Sequence, residues 1–159
     1  RLVLKIESLD LAAQTRALMR SLQSYAVAHK VQLTLRAPQD LPAARGDREK
    51  IEMVLENLVD NAIRYTLNGG TAVMTLSAEK GMVRWSVADE GTGIPPLQQP
   101  YIFQKFFRGE NGHPRDTHGS GIGLYIAKAI VEQSGGEIGF SSAEGRGTTF
   151  WFTLPTARG

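Results

Sequence analysis

The glycine-rich segment Gly119-Ser120-Gly121-Ile122-Gly123-Leu124 directly precedes a predicted helix, and this arrangement can bind a phosphate group. Backbone N–H groups reach a phosphate only where no side chain intervenes, and the N-terminal N–H groups and dipole of a helix favour an anion. A flexible hinge would show the same composition. The spacing differs from the dinucleotide-binding fingerprint, and the chain contains no P-loop motif.

A stripe of polar side chains lies along the most regular helical segment. Apolar residues recur there at three- and four-residue steps from Ile51 to Ile63, which is typical of a helix with one buried side. At 100° per residue, the amides and charges fall together on the opposite side, at Asn57, Asp60, Asn61 and Arg64. Taken alone, the stripe is compatible with an ordinary solvated face.

A carboxylate is predicted at the end of a strand's apolar face. Val83, Trp85 and Val87 alternate with polar residues, and Asp89 continues the same parity. We therefore expect the Asp89 carboxylate to be at least partly buried and to need a hydrogen-bonding partner.

The elements that position these residues follow from periodicity and turn signals. Strands are predicted over residues 2–6, 31–36, 71–78, 82–89, 137–141 and 148–154. Helices are predicted over residues 11–30 and 121–134, and a further helix begins after an N-cap at Asp47. Glu79-Lys80-Gly81 joins a hairpin, residues 38–46 form a loop, and Gly135-Gly136 ends the last helix. Residues 108–120 are rich in glycine and polar side chains, which is typical of a mobile lid.

Composition excludes several classes of protein. The 159 residues suit one domain over residues 1–159, and the net charge of +2 gives little support to nucleic-acid binding. The absence of cysteine excludes disulfides, thiolate metal sites and cysteine nucleophiles. No run approaches the roughly 18 apolar residues of a membrane span. Because the first residue is Arg1 rather than Met, we expect the chain to be part of a longer protein.

The order of the motifs is more specific than any one of them. An asparagine-rich helix, Asp-x-Gly-x-Gly, a phenylalanine-rich patch, Gly-x-Gly-x-Gly and a closing Gly-Thr-x-Phe follow each other along nearly the whole chain. In this respect the sequence resembles the ATP-binding catalytic domain of bacterial sensor histidine kinases. That family belongs to the GHKL superfamily, with gyrase, the Hsp90 chaperones and the MutL proteins.

Residues 56–66 resemble the N box of that family. The resemblance implies that Asn57 and Asn61 hold Mg²⁺, that Arg64 faces the phosphates and that Tyr65 lines the nucleotide site. The chemistry fits, because Mg²⁺ takes oxygen ligands and is usually shared with substrate phosphates and water.

Residues 89–95 resemble the G1 box, whose aspartate accepts a hydrogen bond from the exocyclic amine of adenine. Asp89 occupies that position and is followed by Gly91, Gly93 and Ile94. Guanine presents a carbonyl there, so the resemblance implies a preference for adenine. The alternative role for Asp89 is to form a turn at the end of the strand.

The remaining motifs complete the implied ATP site. Residues 102–109 resemble the F box, in which Phe103 would pack under the lid while Lys105 and Arg108 reach toward the phosphates. The G2 box corresponds to the glycine-rich segment named above. Gly147-Thr148-Thr149-Phe150 resembles the last motif, and the parity of Thr148 with Phe150 directs its hydroxyl inward, near the adenine side.

One departure from the rest of the superfamily bears on the reaction. Gyrase-type ATPases carry a water-orienting glutamate one helical turn before the Mg²⁺-binding asparagine, and here that position is Asn57. An amide cannot serve as a general base. The resemblance therefore favours transfer of the γ-phosphoryl group over hydrolysis, with Asn57, Arg64, Lys105 and Arg108 as the residues acting on that group.

The expected fold is an α/β two-layer sandwich, the Bergerat fold, in which three helices cover one face of a mixed, largely antiparallel sheet. The implied function is binding of Mg²⁺ and ATP and phosphorylation of a histidine in the kinase's own dimerisation domain. None of His29, His113 and His118 has the sequence context of that histidine. A response regulator would act downstream. The full protein is expected to be a homodimeric sensor in the inner membrane. This domain is expected to lie in the cytoplasm and to be monomeric when isolated. The alternatives are a GHKL-type ATPase and a non-catalytic nucleotide-binding module.

Overall fold

The computed structural model describes residues 2–67, 69–104 and 123–157. Within these ranges the strands are β1 (Ile6–Leu9), β2 (Gln32–Arg36), β3 (Ala44–Asp47), β4 (Thr71–Glu79), β5 (Met82–Ala88), β6 (Ile138–Ala143) and β7 (Gly147–Pro155). The α-helices are α1 (Leu11–Ala28), α2 (Arg48–Tyr65) and α3 (Leu124–Gln133), and Gln99–Tyr101 forms a 3₁₀ turn. None of the described helices is long and apolar enough to cross a membrane.

The main sheet has the strand order β2-β4-β5-β7-β6. Strand β2 runs parallel to β4, and the other neighbouring pairs are antiparallel. Alternate side chains of the central strands are fully buried beneath the three helices, among them Met74, Val83, Trp85 and Phe152. The predicted two-layer sandwich with a mixed, largely antiparallel sheet is confirmed.

Buried aromatic contacts attach helix α1 to the centre of the sheet. The Trp85 ring stacks on Phe152 at 5.4 Å between centroids. Its indole Nε1–H donates to Thr15 Oγ1 at 3.2 Å, and the Thr15 hydroxyl in turn donates to the Leu11 carbonyl at 2.7 Å. The polar edge of the largest core side chain is thereby satisfied inside the core.

Two predicted turns have the local geometry that their residues favour. Lys80 and Gly81 at the tip of the β4–β5 hairpin both have positive φ, 56° and 78°, as a type I′ turn requires. Helix α3 ends where Gly135 takes a φ of 95°. The Gly135 and Gly136 N–H groups close the last turn by donating to the Glu132 and Val131 carbonyls, which is the Schellman pattern.

The first part of the chain differs from its prediction. The first strand is β1 (Ile6–Leu9) rather than residues 2–6, and the segment predicted as a loop over residues 38–46 contains most of β3 (Ala44–Asp47). These two strands form a separate two-stranded sheet, in register from Ile6 with Asp47 to Leu9 with Ala44. Ala44 also forms an isolated bridge with Thr156. The sequence Ala-Arg-Gly-Asp carries no alternation of large apolar side chains, so its strand depends on a partner distant in the chain.

Asp47 sits where strand β3 passes into helix α2, and it acts as the predicted N-cap. Its Oδ1 accepts from the Lys50 N–H at 3.1 Å, and Oδ2 accepts from the Lys5 N–H at 2.8 Å. The bond from the Lys5 N–H, followed by that from Lys50, holds the pKa of Asp47 below its ordinary value of 3.8. The carboxylate therefore fixes both the start of α2 and the segment that leads into β1.

We predict that Asp47→Ala lowers the free energy of unfolding by about 1–2 kcal/mol at pH 7, because the cap is lost. Since the folded-state pKa is lowered, this stabilisation is present above the ordinary pKa of the carboxyl and is lost as the pH falls through the folded-state value. Urea unfolding at pH 7, 5 and 3 measures the difference between the variant and the parent chain. Asp40→Ala, which removes an exposed acid, is the control and should change stability by less than about 0.5 kcal/mol. A difference for Asp47→Ala that stays constant down to pH 3 contradicts the assignment.

Candidate functional site

The polar stripe of helix α2 is buried rather than solvated. Asn57 and Asn61 are both completely buried, and Asp60 is only 3% exposed. Both side-chain polar atoms of each asparagine are inaccessible and have no hydrogen-bond partner within the described part of the chain. An unpaired buried amide is costly, so these atoms indicate a site that is completed by a ligand.

The two asparagines also fit the metal that the family resemblance implies. Asn57 Oδ1 and Asn61 Oδ1 lie one helical turn apart on the same side of α2. Both are unpaired and carry no charge, and amide oxygens are accepted ligands for Mg²⁺. Two neutral ligands leave the remaining coordination to water and phosphate, which is the usual mode for Mg²⁺ at nucleotide sites.

Arg64 and Tyr65 complete the α2 side of the site. The guanidinium carbon of Arg64 lies 5.2 Å from the centre of the Tyr65 ring, within the range of a cation–π contact. Arg64 Nη1 is buried, with no hydrogen-bond partner among the described residues. A guanidinium held against a ring with one nitrogen unpaired is suited to accept an anionic ligand.

Asp89 ties the end of strand β5 to strand β7. Its Oδ1 accepts from the backbone N–H groups of Gly91 and Thr148, each at 3.0 Å. The Asp89 N–H donates to the Thr148 carbonyl at 2.8 Å. The residue is 7% exposed, so the predicted burial at the end of the apolar face and the need for a partner are both confirmed.

The loop after Asp89 passes directly against the end of helix α2. Gly91 forms a β-bridge with Thr66, and a Cβ at Gly91 would lie only 2.0 Å from the Tyr65 carbonyl oxygen. No side chain fits there, so glycine is required for this approach. The bridge brings Asp89 and the C-terminal turn of α2, two predicted parts of the site, next to each other.

The second half of the same loop is fixed to the β6–β7 turn. Gly93 has a φ of 75°, and a Cβ there would meet the Ala143 carbonyl oxygen at 2.2 Å. The Ile94 N–H donates to Ser142 Oγ at 2.8 Å, and the Ile94 side chain is buried in the core. The predicted G1 box is thus held against β6 as well as against α2.

Thr148 points inward, as its parity predicts. It is 3% exposed, and its hydroxyl lies 2.8 Å from Ser142 Oγ. Ser142 was not identified from the sequence, although it contacts two predicted site segments, one through Ile94 and the other through Gly147 and Thr148. A shallow depression of about 340 Å³ opens here, lined by Asp89, Ser141, Ser142, Ala143, Arg146, Gly147, Thr148 and Thr149.

The aromatic side of the site contains Phe103. Its ring packs on Phe140 at 5.9 Å and edge-on to Phe150 at 6.4 Å. The ammonium of Lys128 lies 5.5 Å from the Phe103 ring centre. Phe103 therefore belongs to an aromatic cluster between α3 and strands β6 and β7.

Part of the predicted site lies outside the described residues. This applies to Lys105, Arg108, the lid over residues 108–120 and four residues of the glycine-rich segment, Gly119, Ser120, Gly121 and Ile122. The end of that segment is described: Gly123 is the N-cap residue of α3, and Leu124 is fully buried. The Gly123 carbonyl accepts from the Ala127 N–H at 3.0 Å.

Tyr25 of helix α1 lies near the stripe and was not among the site residues predicted from the sequence. Burial, followed by a hydrogen bond with the Asp60 side chain, raises the pKa of Tyr25 above its ordinary value. The nearby charge of Arg64 has the opposite, smaller effect. Tyr25 lies on a different helix, 35 residues before Asp60 in the chain, so helical periodicity could not assign it to this site.

The comparisons with known proteins agree with these observations. Residues 46–158 match the family described as histidine kinase-, DNA gyrase B- and HSP90-like ATPases. The chain is 41% identical over 111 residues to the sensor histidine kinase WalK of Bacillus subtilis, covering 69% of this chain and 18% of WalK. It is 36% identical over 154 residues to the adaptive-response sensory kinase SasA of Parasynechococcus marenigrum, covering 96% of this chain and 40% of SasA. The chain thus spans less than half the length of these relatives.

Solved structures show the same architecture. The nucleotide-free catalytic domain of histidine kinase ThkA superposes with a TM-score of 0.82 at 27% identity, covering 96% of this chain and 99% of that domain. Full-length ShkA in complex with AMPPNP gives 0.84 at 27%, covering 99% and 32%. ThkA in complex with the response regulator TrrA gives 0.79 at 26%, covering 98% and 43%. The chain belongs to the histidine kinase-, DNA gyrase B- and HSP90-like ATPase family, and its relatives and structural neighbours are sensor histidine kinases.

Proposed function

We propose that this domain binds ATP with Mg²⁺ and passes the γ-phosphoryl group to a histidine of a sensor kinase's dimerisation domain. The observation that carries the proposal is the set of unpaired amide atoms of Asn57 and Asn61, completely buried beside the unpaired Arg64 Nη1. A ligand that offers both a cation and an anion can pair with all of these atoms at once. A magnesium–nucleotide complex has that chemistry.

In this proposal each described segment has one task. Asn57 and Asn61 hold Mg²⁺, which when bound neutralises phosphate charge, and Arg64 binds a phosphate oxygen directly. Tyr65 lines the nucleotide site beside Arg64. Asp89 accepts a hydrogen bond from the adenine amine, with Thr148 beside it. The full-length ShkA structure with AMPPNP, an adenine nucleotide analogue, supports this assignment.

Residues beyond the described ranges extend the proposal along the phosphates. Lys105 and Arg108 would place positive charge there, and the backbone of Gly119 to Gly123, at the start of α3, would donate N–H groups. Charge neutralisation and positioning then supply most of the catalysis, since phosphoryl transfer needs little covalent chemistry from the protein. A response regulator is the proposed downstream partner, in line with the ThkA complex with TrrA.

Transfer is favoured over hydrolysis because the water-orienting position of the gyrase-type ATPases is occupied by Asn57. Its side chain is completely buried and is an amide, so it can neither accept a proton from water nor exchange with solvent. The γ-phosphoryl group therefore lacks an activated water on this side of the site. A histidine nitrogen supplied by another domain is the proposed nucleophile.

Base selection is tested by Asp89→Asn. Because Oδ1 already accepts two backbone N–H groups, an asparagine that keeps these contacts presents its amide nitrogen, a donor, to the base. We expect ATP to bind at least about tenfold more weakly, and GTP to bind no worse, since guanine offers a carbonyl. Calorimetry with both non-hydrolysable analogues measures this change.

Glu90→Gln is the matched control for the base-selection test. Glu90 is exposed, and its Oε1 accepts only from the Thr71 N–H at 2.8 Å among the described contacts, which a glutamine preserves. The control makes the same carboxylate-to-amide change one residue away and should leave both affinities unchanged. An Asp89→Asn variant that keeps the full preference for adenine contradicts the role given to Asp89.

Phosphotransfer is tested with γ-labelled ATP, Mg²⁺ and a separately produced dimerisation domain carrying the acceptor histidine. We expect acid-labile, alkali-stable label on that domain. Asn61→Ala should remove the label because one oxygen ligand is lost, provided that circular dichroism shows the variant to be folded. Steady release of phosphate without label would favour the ATPase alternative, and tight ATP binding with neither product would favour the non-catalytic module.

A further inference from the structure

Ser142 of strand β6 lies at the centre of a hydrogen-bond network that has no task in the proposed chemistry. Its Oγ accepts from the Ile94 N–H at 2.8 Å and lies 3.2 Å from the Gly147 carbonyl oxygen and 2.8 Å from Thr148 Oγ1. A serine hydroxyl has one hydrogen to donate and two lone pairs that accept. The three contacts therefore use its full capacity, provided that each hydrogen points the right way.

The Gly147 carbonyl decides where the Ser142 hydrogen goes. A carbonyl oxygen only accepts, so its contact with Ser142 Oγ needs the serine hydrogen. Without that hydrogen, two electron-rich oxygens would face each other at 3.2 Å. The contact between Ser142 and Thr148 is then a hydrogen bond only if Thr148 donates it. The Thr148 hydroxyl thus gives its hydrogen to Ser142 and has only lone pairs left for a ligand.

This hydroxyl belongs to the residue that is bonded to Asp89. Asp89 Oδ1 accepts from the Thr148 N–H at 3.0 Å, and the Asp89 N–H donates to the Thr148 carbonyl at 2.8 Å. The two side chains share the parity of the buried Val87 and Phe150, so both point to the helix-covered side of the sheet. An ionised carboxylate also only accepts. Two neighbouring acceptors are complementary to a primary amine, which has two N–H donors.

We propose that Ser142 is a positioning residue for base selection: by taking the Thr148 hydrogen, it makes Thr148 a second acceptor, beside Asp89, for the exocyclic amine of adenine. The inference rests on the proposed function, in which Asp89 accepts from that amine. Guanine has a carbonyl at this place and would meet two acceptors. The pair therefore rejects guanine more strongly than Asp89 alone.

Gln99 keeps Ser142 in place independently of the serine hydroxyl. The Gln99 side-chain Nε2 donates to the Ile94 carbonyl at 2.9 Å and to the Ser142 carbonyl at 3.2 Å. This bridge joins the loop after Asp89 to β6 through backbone groups. Removing the Ser142 hydroxyl therefore leaves the loop attached, while the Thr148 hydrogen loses its acceptor.

The test compares ATP with the triphosphate of purine riboside, which lacks the exocyclic amine. Ser142→Ala should lower the ratio of the two affinities about fivefold, because the Thr148 hydrogen is then free to point at the amine. Thr148→Val removes the hydroxyl and should lower this ratio at least as much. Combining the two substitutions should lower it no further, since Ser142 acts on the base only through Thr148. Calorimetry measures each affinity.

Two control variants should keep the parent ratio within about twofold. Ser77→Ala removes the hydroxyl of an exposed serine on strand β4, outside the site, and Ser142→Thr keeps a hydroxyl at the position itself. A purely structural role for Ser142 would weaken both nucleotides alike and leave the ratio unchanged, which overturns the inference. A further fall of the ratio when Ser142→Ala is added to Thr148→Val overturns it as well.

Circular dichroism establishes whether each variant is folded. If Ser142→Ala is not, the Thr148 variants decide: the ratio must fall in Thr148→Val and stay in Thr148→Ser, and any other result overturns the inference. If the parent chain binds neither nucleotide, the proposed function fails first and this inference falls with it. If the parent chain binds ATP more tightly and only the response of the ratio to Ser142→Ala is missing, the proposed function stands and the inference alone fails.

Discussion

Helix α2 is buried on all sides from Asn57 to Ile63, and the rest of the structure is arranged around this constraint. Every residue from Asn57 to Ile63 is less than 4% exposed, although an amphipathic helix ordinarily leaves one side in water. The apolar residues pack on the sheet, and the polar ones face other parts of the protein. A helix of this kind is stable only if neighbouring segments cover its polar side, and here they do so without pairing with all of its polar groups.

The covering segments are positioned by backbone contacts at three glycines. Gly91 passes within van der Waals contact of the end of α2, Gly93 contacts the β6–β7 turn, and Gly147 has a φ of 95° where a Cβ would lie 2.2 Å from the Asp89 carbonyl oxygen. Each contact would be blocked by a side chain. Asp89 then links the loop to β7 through two N–H groups. Backbone-to-backbone approach, rather than side-chain packing, therefore sets the distance between the α2 stripe and the end of β5.

The sequence was sufficient where one short segment determines its own structure. The α2 periodicity, the Asp47 cap, the Lys80-Gly81 turn and the inward parity of Thr148 are local signals, and each is confirmed. The pairing of β1 with β3 joins segments about forty residues apart and carries no local pattern. Ser142 and Tyr25 were missed for the same reason, because each contacts the site from an element whose own periodicity indicates only strand or core.

The unpaired atoms of the stripe connect stability to ligand binding. Asn57 and Asn61 each leave a buried amide unpaired, and Asp60 and Arg64 each leave one further atom unpaired. Each such group costs about 1–3 kcal/mol, which is a large share of the roughly 5–15 kcal/mol that holds a domain folded. The apolar contacts of α2 with the sheet must therefore offset a deficit that exists only while the stripe lacks its partners. A ligand that binds only the folded state and supplies these partners adds about 2.7 kcal/mol of stability at a hundredfold excess over its Kd. The buried polar stripe thus makes the ligand-free domain less stable than its core alone would allow. The same unpaired groups favour the binding of a charged ligand at this place.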